Sequence, residues 1–378
     1  MMLSFSDPSK LKTKRIVFED VIAARDSATL EHLKELSSKR RVLEESINQS
    51  RFITEAIARE MSGGSTSHCQ QVLHKLEQYL PLLENFISHV DLVSSNSHMV
   101  KWIPELKIRW SSALGSSSLF SLMGPKFFQI DNVRFELGMT LFFYGSILRE
   151  RASEFLPSDL VQSAALFRKA AGIFHYLGHE VLPSFQATLS NDKPPEATPS
   201  LSAAMSLICL AEAQAATIRK AEERGSIGVL EKLHHGVAEF LAEATHALNS
   251  ATGEHKALSS RLLEFLSSCK ALHELQSQKY LAQGLKVDGR VGLAVGVLSE
   301  ALINVKKNLP GEDSWRSIFR KEIDAVEDIL RKFEHENEFV WHEKIPPRHE
   351  LPLPQCCKLV RPEPYQPERW ERELAFKI

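Results

Sequence analysis

Apolar residues recur along most of this chain at the three- and four-residue steps of an α-helix. Between Val21 and Met61, Leu33, Leu36, Leu43 and Ile47 stand among Lys, Arg and Glu, which predicts a long helix with one buried stripe ended by Gly63-Gly64-Ser65. Leu73, Leu76, Leu80, Leu83, Ile87 and Val90 then alternate steps of three and four, the spacing of packed antiparallel helices, with a bend expected at Pro81. Between Trp102 and Ile130 the period changes. Lys107-Ile-Arg-Trp-Ser111 and Lys126-Phe-Phe-Gln-Ile130 cluster β-formers around a Gly115-Ser-Ser-Ser118 loop, which predicts a small hairpin over residues 106–130. From Asn132 the helical spacing returns. Pro157-Ser158, Asn191-Asp-Lys-Pro-Pro195, Gly225, Gly253 and Asp288-Gly289 punctuate it into helices near 132–155, 159–180, 199–223, 227–251, 254–284, 288–308 and 313–338. Thr198 before Pro199 reads as an N-cap with proline at the first helical position.

Short turns force neighbouring helices to run antiparallel, so the core over 132–338 is a stack of helix pairs. Small residues (Ala203, Ala204, Ala211, Ala213, Ala215 and Ala216, then Gly289, Gly292, Ala294 and Gly296) are expected to let helix axes approach closely, as in tetratricopeptide-like stacks. No 34-residue repeat accompanies them. The last forty residues, 339–378, carry Pro346, Pro347, Pro352, Pro354, Pro362, Pro364 and Pro367, which forbid regular helix, and Leu351, Leu353, Leu359 and Val360, which predict an extended tail packed along the body. The fold class is therefore mainly α, and residues 1–378 read as a single domain.

Composition narrows function chiefly by exclusion. The chain is 43% apolar and 25% charged, enough for a sizeable core, and its 46 basic and 48 acidic side chains nearly cancel to −2. No global field draws in nucleic acid or anionic lipid. Five cysteines, three of them isolated in apolar or helical stretches, are cytosolic thiol usage. The first ten residues lack the apolar run of a signal peptide, and Ala375-Phe-Lys-Ile378 is no prenylation box. The uncharged runs Leu137–Leu148 and Ala197–Ala211 fall short of the ~20 residues of a membrane span and read as buried helices.

No chemistry assembles along the chain. His342-Glu343 with His349 fails the spacing of a zinc protease helix. His175 and His179 lie one turn apart beside Glu180 without a further ligand, and Cys356-Cys357 has no distant partners for a four-ligand site. Gly289, Gly292 and Gly296 lack dinucleotide spacing, and neither a phosphate loop nor a nucleophile elbow occurs. No catalytic residue, cofactor, metal or small-molecule substrate is assigned. Lys10, Lys12, Lys14 and Arg15, then Lys39-Arg40-Arg41 and Lys306-Lys307, are short basic clusters flanked by acids and read as solvated faces. The first of them is the best placed for a peripheral membrane contact.

Several stretches taken together resemble a known family. They are Ile108-Arg-Trp-Ser-Ser-Ala-Leu-Gly-Ser-Ser-Ser-Leu-Phe120, Phe135-Glu-Leu-Gly-Met-Thr-Leu-Phe-Phe143, Ala170-Ala-Gly-Ile-Phe174, Met205-Ser-Leu-Ile-Cys-Leu-Ala-Glu-Ala-Gln214, Lys279-Tyr280 and Glu338-Phe-Val-Trp-His-Glu-Lys-Ile-Pro346. In this order and spacing they resemble the Bro domain of Alix-type endosomal sorting proteins. The resemblance implies an elongated, boomerang-shaped helical domain with a small sheet, cytoplasmic and recruited to endosomes. Its concave groove would bind the C-terminal amphipathic helix of a filament-forming ESCRT-III subunit. The positions matching the groove are Leu160 and Ala164 on one helix and Val229, Leu230 and Leu233 on another. Thr217 stands where relatives carry an aromatic, and the lysines of relatives near Val161 and Ala165 are lacking. Two readings follow: an adaptor that binds ESCRT-III, or a regulatory scaffold or competitor that keeps the fold and binds another ESCRT component through a different surface.

Overall fold

The computed structural model describes residues 3–49, 67–116, 124–189, 192–223, 225–250, 257–368, 370 and 372–378. The expected stops at Gly63-Gly64-Ser65 and Gly253, the far end of the first predicted helix, Ser117-Ser118 of the hairpin loop and Asn191 lie outside them. Among the described residues ten α-helices and two strands follow in order: α1 (Ser27–Asn48), α2 (His68–Leu92), α3 (Ser97–Glu105), β1 (Arg109–Ser111), β2 (Phe127–Gln129), α4 (Val133–Phe155), α5 (Leu160–Tyr176), α6 (Pro199–Glu222), α7 (Ile227–Ser250), α8 (Ser260–Val287), α9 (Val291–Lys307) and α10 (Asp313–Glu336).

The helices begin where short polar side chains satisfy the free amides of a first turn. Asp26 accepts from Thr29, Ser67 from Gln70, Asn132 from Arg134, Asp159 from Val161 and Gln162, and Thr198 from Leu201. Asn96 does the same for α3, a helix the change of period at Trp102 did not reveal. α5 and α10 each run on into a π turn, Leu177–Val181 and Asn337–Trp341. Pro81 lies within α2 with its ring buried.

β1 and β2 pair antiparallel, Trp110 opposite Phe128, as the hairpin reading requires. The N-terminal segment adds to β1: Ser111 N–H donates to the Lys12 carbonyl and Lys14 N–H to that of Arg109. From α4 to α10 each helix packs on the next in sequence, and α1 and α2 extend the row through α4. One contiguous buried cluster runs from Leu3 to Phe376. α6 is long and apolar enough to cross a membrane by composition, but its apolar window is 83% buried between α5 and α7.

The tail forms a strap that runs against the order of the stack. It crosses α9, then α7, then α5, then α2, every second helix of the row, and ends on α1. Its main chain is satisfied by the body: Cys357 N–H donates to the Lys232 carbonyl (3.1 Å) and Glu363 N–H to that of Arg168 (3.0 Å). Ala375 N–H donates to Thr29 Oγ1 (2.9 Å). Gln214, fully buried in α6, grips the strap from both ends of its amide, donating to the Cys357 carbonyl (2.9 Å) and accepting from Leu359 N–H (2.9 Å). The strap also corrects the reading of the α9 glycines. Gly292 and Gly296 back onto Lys344 and Leu351 of the tail, not onto a neighbouring helix.

Arg40 is a second correction. It belongs to no solvated face: it is wholly buried and ion-paired with Glu136 at 2.5 Å. Arg149 and Glu212 form a second buried pair, bonded through two nitrogens at 2.6 and 2.5 Å.

Between α7 and α8, His234 and His273 face each other Nδ1 to Nδ1 at 2.9 Å, both buried, with His234 stacked on Tyr280. Burial holds both imidazoles neutral, His234 well below its usual range and His273 down to about 3. The unfolded chain, with ordinary histidines near 6.5, therefore takes up protons first as the pH falls. The stability these residues contribute is complete above pH 6.5 and is lost toward pH 3, at up to about 1.4 kcal/mol per pH unit for each histidine. Urea midpoints at pH 7.5 and 5.5 should show the loss, and His273→Gln should flatten the difference. Equal pH slopes in the two proteins would contradict the assignment.

Candidate helix-binding groove

The residues singled out by sequence fall on three consecutive helices. α5 and α7 start at the same end of the stack, because α6 runs back between them. Leu160 and Ala164 in the first turns of α5 are half-buried, Val161 is 71% exposed and Ala165 is exposed. Thr217, near the end of α6, is half-buried, and its hydroxyl bonds the Ala213 carbonyl of its own helix. Val229 in the first turn of α7 is 47% exposed. These five positions and Ala165 therefore share one end of the three-helix surface.

Leu230 and Leu233 stand apart, 3% and 2% exposed, as members of the core. Val229, Leu233, Gly236 and Phe240 lie at steps of four, three and four, on one face of α7. The strap covers that face from the second turn onward. The Cys357 carbonyl lies so close to Gly236 that a Cβ there would overlap it, and the Lys358 ammonium sits 4.8 Å from the centroid of the Phe240 ring. α5 repeats the arrangement. Val161, Ala165, Arg168 and Gly172 share a face, with the Glu363 carbonyl against Gly172 and the Arg361 carbonyl accepting from Arg168 Nε at 2.9 Å. Val360 fills the gap between, packed with Phe167 and Ala213. The surface over α5, α6 and α7, here termed a trench, thus has two parts: a stretch covered by the chain's own tail, and an uncovered end, its mouth, that carries Leu160, Val161, Ala164, Ala165, Thr217 and Val229.

Sequence reasoning did not find Gly172, Gly236 and Gln214, the residues that make the strap's seat. A signal exists in hindsight. Glycine inside a helix costs about 1 kcal/mol against alanine, so a mid-helix glycine opposite a proline-rich segment points to backbone lying against backbone.

The N-terminal basic cluster is largely engaged within the fold. Lys10 pairs with Asp7 at 2.6 Å, Lys12 donates to the Ile47 and Asn48 carbonyls at the end of α1, and Lys14 lies 4.5 Å from the centroid of the Phe127 ring. Arg15 is exposed. Among the described residues no group of three or more His, Cys, Asp or Glu is placed to hold a metal ion. His179 Nδ1 lies 2.9 Å from the His175 carbonyl, and Cys356 and Cys357 are free thiols.

Comparison with known proteins agrees with this architecture. BRO1 domain-containing protein BROX of Homo sapiens is 26% identical over 308 residues, 77% of this chain and 72% of BROX. Apoptosis-linked gene 2-interacting protein X 1 of Caenorhabditis elegans is 24% identical over 327 residues, 83% of this chain but only 35% of that longer relative. Among solved structures, the ALIX BRO1 CHMP4C complex matches over 94% of both chains, with a TM-score of 0.68 at 19% identity, a likeness of fold. ALIX in complex with the SIVmac239 PYKEVTEDL late domain matches 97% of this chain and 49% of ALIX, with a TM-score of 0.73 at 18% identity. The BRO1-like domain model matches residues 42–376, so the chain belongs to the BRO1-like domain family.

Proposed function

We propose that this chain is a non-enzymatic adaptor of the endosomal sorting machinery, recruited to endosomes from the cytoplasm, that receives the C-terminal amphipathic helix of an ESCRT-III subunit in the open mouth of the α5–α6–α7 trench. The observation that carries this reading is the uncovered apolar surface of Leu160, Val161, Ala164 and Val229, beside a strap that closes the rest. An amphipathic helix laid there would present anchors at steps of three and four to these side chains. The likeness to the BRO1 domain of the ALIX BRO1 CHMP4C complex supports the choice of partner.

Thr217 sets the strength of the interaction. Threonine in place of an aromatic gives up buried area worth about 1–3 kcal/mol, roughly a 5- to 150-fold weaker complex, and a Kd on the order of 10–100 μM is expected. Titrating the protein with a fluorescent peptide of the CHMP4C C-terminal helix should give a Kd in that range. Val229→Asp should raise it at least tenfold with no change in melting temperature, since Val229 is half in solvent. Leu353→Asp, on the outer side of the strap at 84% exposure, should bind as wild type. Leu233→Asp is unsuited to this test: its charge would enter the core and report on folding.

Two features favour the alternative, a regulatory scaffold that reaches another ESCRT component through a different surface: Thr217 itself, and the strap over Gly236 and Phe240. Absence of binding by the wild-type protein would leave that reading standing.

A further inference from the structure

The strap carries a pattern that neither the fold nor the groove uses. Arg361-Pro-Glu-Pro-Tyr-Gln-Pro367 places a basic residue, then proline three and six positions later. Three prolines fix their own φ near −65°, and each holds the residue before it extended, so Arg361, Pro362, Glu363, Pro364, Gln366 and Pro367 are all held to polyproline II geometry. That helix has three residues per turn and therefore three ridges.

The body takes one ridge and the far end of a second, and leaves the rest exposed. Pro362 and Tyr365 are half-buried, with the Tyr365 ring 5.2 Å from Tyr176 and 6.5 Å from Tyr144, centroid to centroid. Arg361, Glu363, Pro364 and Gln366 are exposed, and Pro367 is half-buried. A cleft of about 320 Å³ separates Glu363, Pro364, Tyr365 and Gln366 from Glu77, Tyr144 and Lys169 of the body. The guanidinium of Arg361 has no ion-pair partner among the described residues. The segment is anchored from below by the two hydrogen bonds with Arg168, so its conformation is fixed before any partner arrives.

We infer that residues 361–367 are a surface-presented polyproline II ligand for an SH3-type domain, one whose aromatic grooves take the Glu363-Pro364 and Gln366-Pro367 pairs and whose acidic pocket takes Arg361. Domains of this kind read two adjacent ridges of the helix and leave the third untouched, and the free and buried sides here divide in that way. Ordering the ligand in advance removes an entropy cost of binding. Glu363 and Gln366, polar where an apolar side chain would add area, keep the affinity modest.

The test is calorimetric titration of the full chain with a recombinant SH3 domain specific for ligands carrying arginine three positions before the first proline. A Kd of about 10–100 μM is expected, matched within threefold by a synthetic peptide of residues 358–368. Pro364→Ala with Pro367→Ala should weaken binding at least tenfold. Arg361→Glu, which leaves every proline in place, should do the same and covers the case in which losing the prolines loosens the strap. Binding by the peptide but not the intact chain would overturn the inference, because the seated strap would then hide the ridge. Absence of binding by either, or wild-type affinity in Arg361→Glu, would overturn it equally.

Discussion

Glu136→Ala is expected to destabilise the protein by about 3–5 kcal/mol. The Glu136 carboxylate, fully buried in the first turn of α4, collects three donors from three other elements: Arg40 Nε of α1 at 2.5 Å, Trp110 Nε1 of β1 at 2.6 Å and the Tyr79 hydroxyl of α2 at 3.1 Å. Alanine would leave all three without their acceptor. Arg40 makes the loss severe, since its side chain is also buried and a guanidinium cannot shed its proton. An uncompensated charge would remain in the core. The Arg40→Met, Glu136→Leu double variant removes both charges and should recover most of the loss, as buried ion pairs often exchange for apolar pairs of similar volume. Urea denaturation of the single and double variants separates these effects. A loss below about 1 kcal/mol in Glu136→Ala would mean the network does not hold the N-terminal helices together.

Gly172→Val should be nearly as damaging, for a steric reason. A Cβ on Gly172 would overlap the Glu363 carbonyl, and backbone cannot give way as a flexible side chain can. The strap must lift, which breaks the Glu363–Arg168 bond and exposes Val360 and the Phe167–Ala213 surface beneath it. The expected cost is on the order of 3–5 kcal/mol, with new tryptic cleavage after Lys358. Gly228→Ala and Gly284→Ala are the controls, because nothing lies within 4 Å of an added Cβ at either position. Both should be neutral or stabilising, by up to about 1 kcal/mol. Unchanged proteolysis in Gly172→Val would show that the strap is not seated as described.

The helices were readable because local chemistry and burial agree. Thr198-Pro199 starts α6 where the sequence places it, and the predicted spans near 199–223 and 227–251 compare with Pro199–Glu222 and Ile227–Ser250. α3 escaped because nine residues around Pro104 carry too little period to separate from the β-formers that follow. Arg40 escaped because a charge run reads as solvated, and its partner Glu136 is 96 residues away. The same limit applies to the groove. Spacing places Val229 and Leu233 on one face of α7, yet the first is 47% exposed and the second 2%, a difference made by packing from elsewhere in the chain that local spacing does not carry. The glycines at 292 and 296 show that smallness was legible while its cause, a chain crossing the helix, was not.

The most direct test of the groove is site-specific photocrosslinking. A benzoylphenylalanine placed at Val161, and in a second protein at Val229, should capture the CHMP4C C-terminal helix peptide, while the same probe at Val287, 78% exposed as the last residue of α8, should not. Capture at both mouth positions and none at 287 is the expected result. Equal capture at all three positions, or capture only at 287, would contradict the assignment of the α5–α7 mouth as the partner's site.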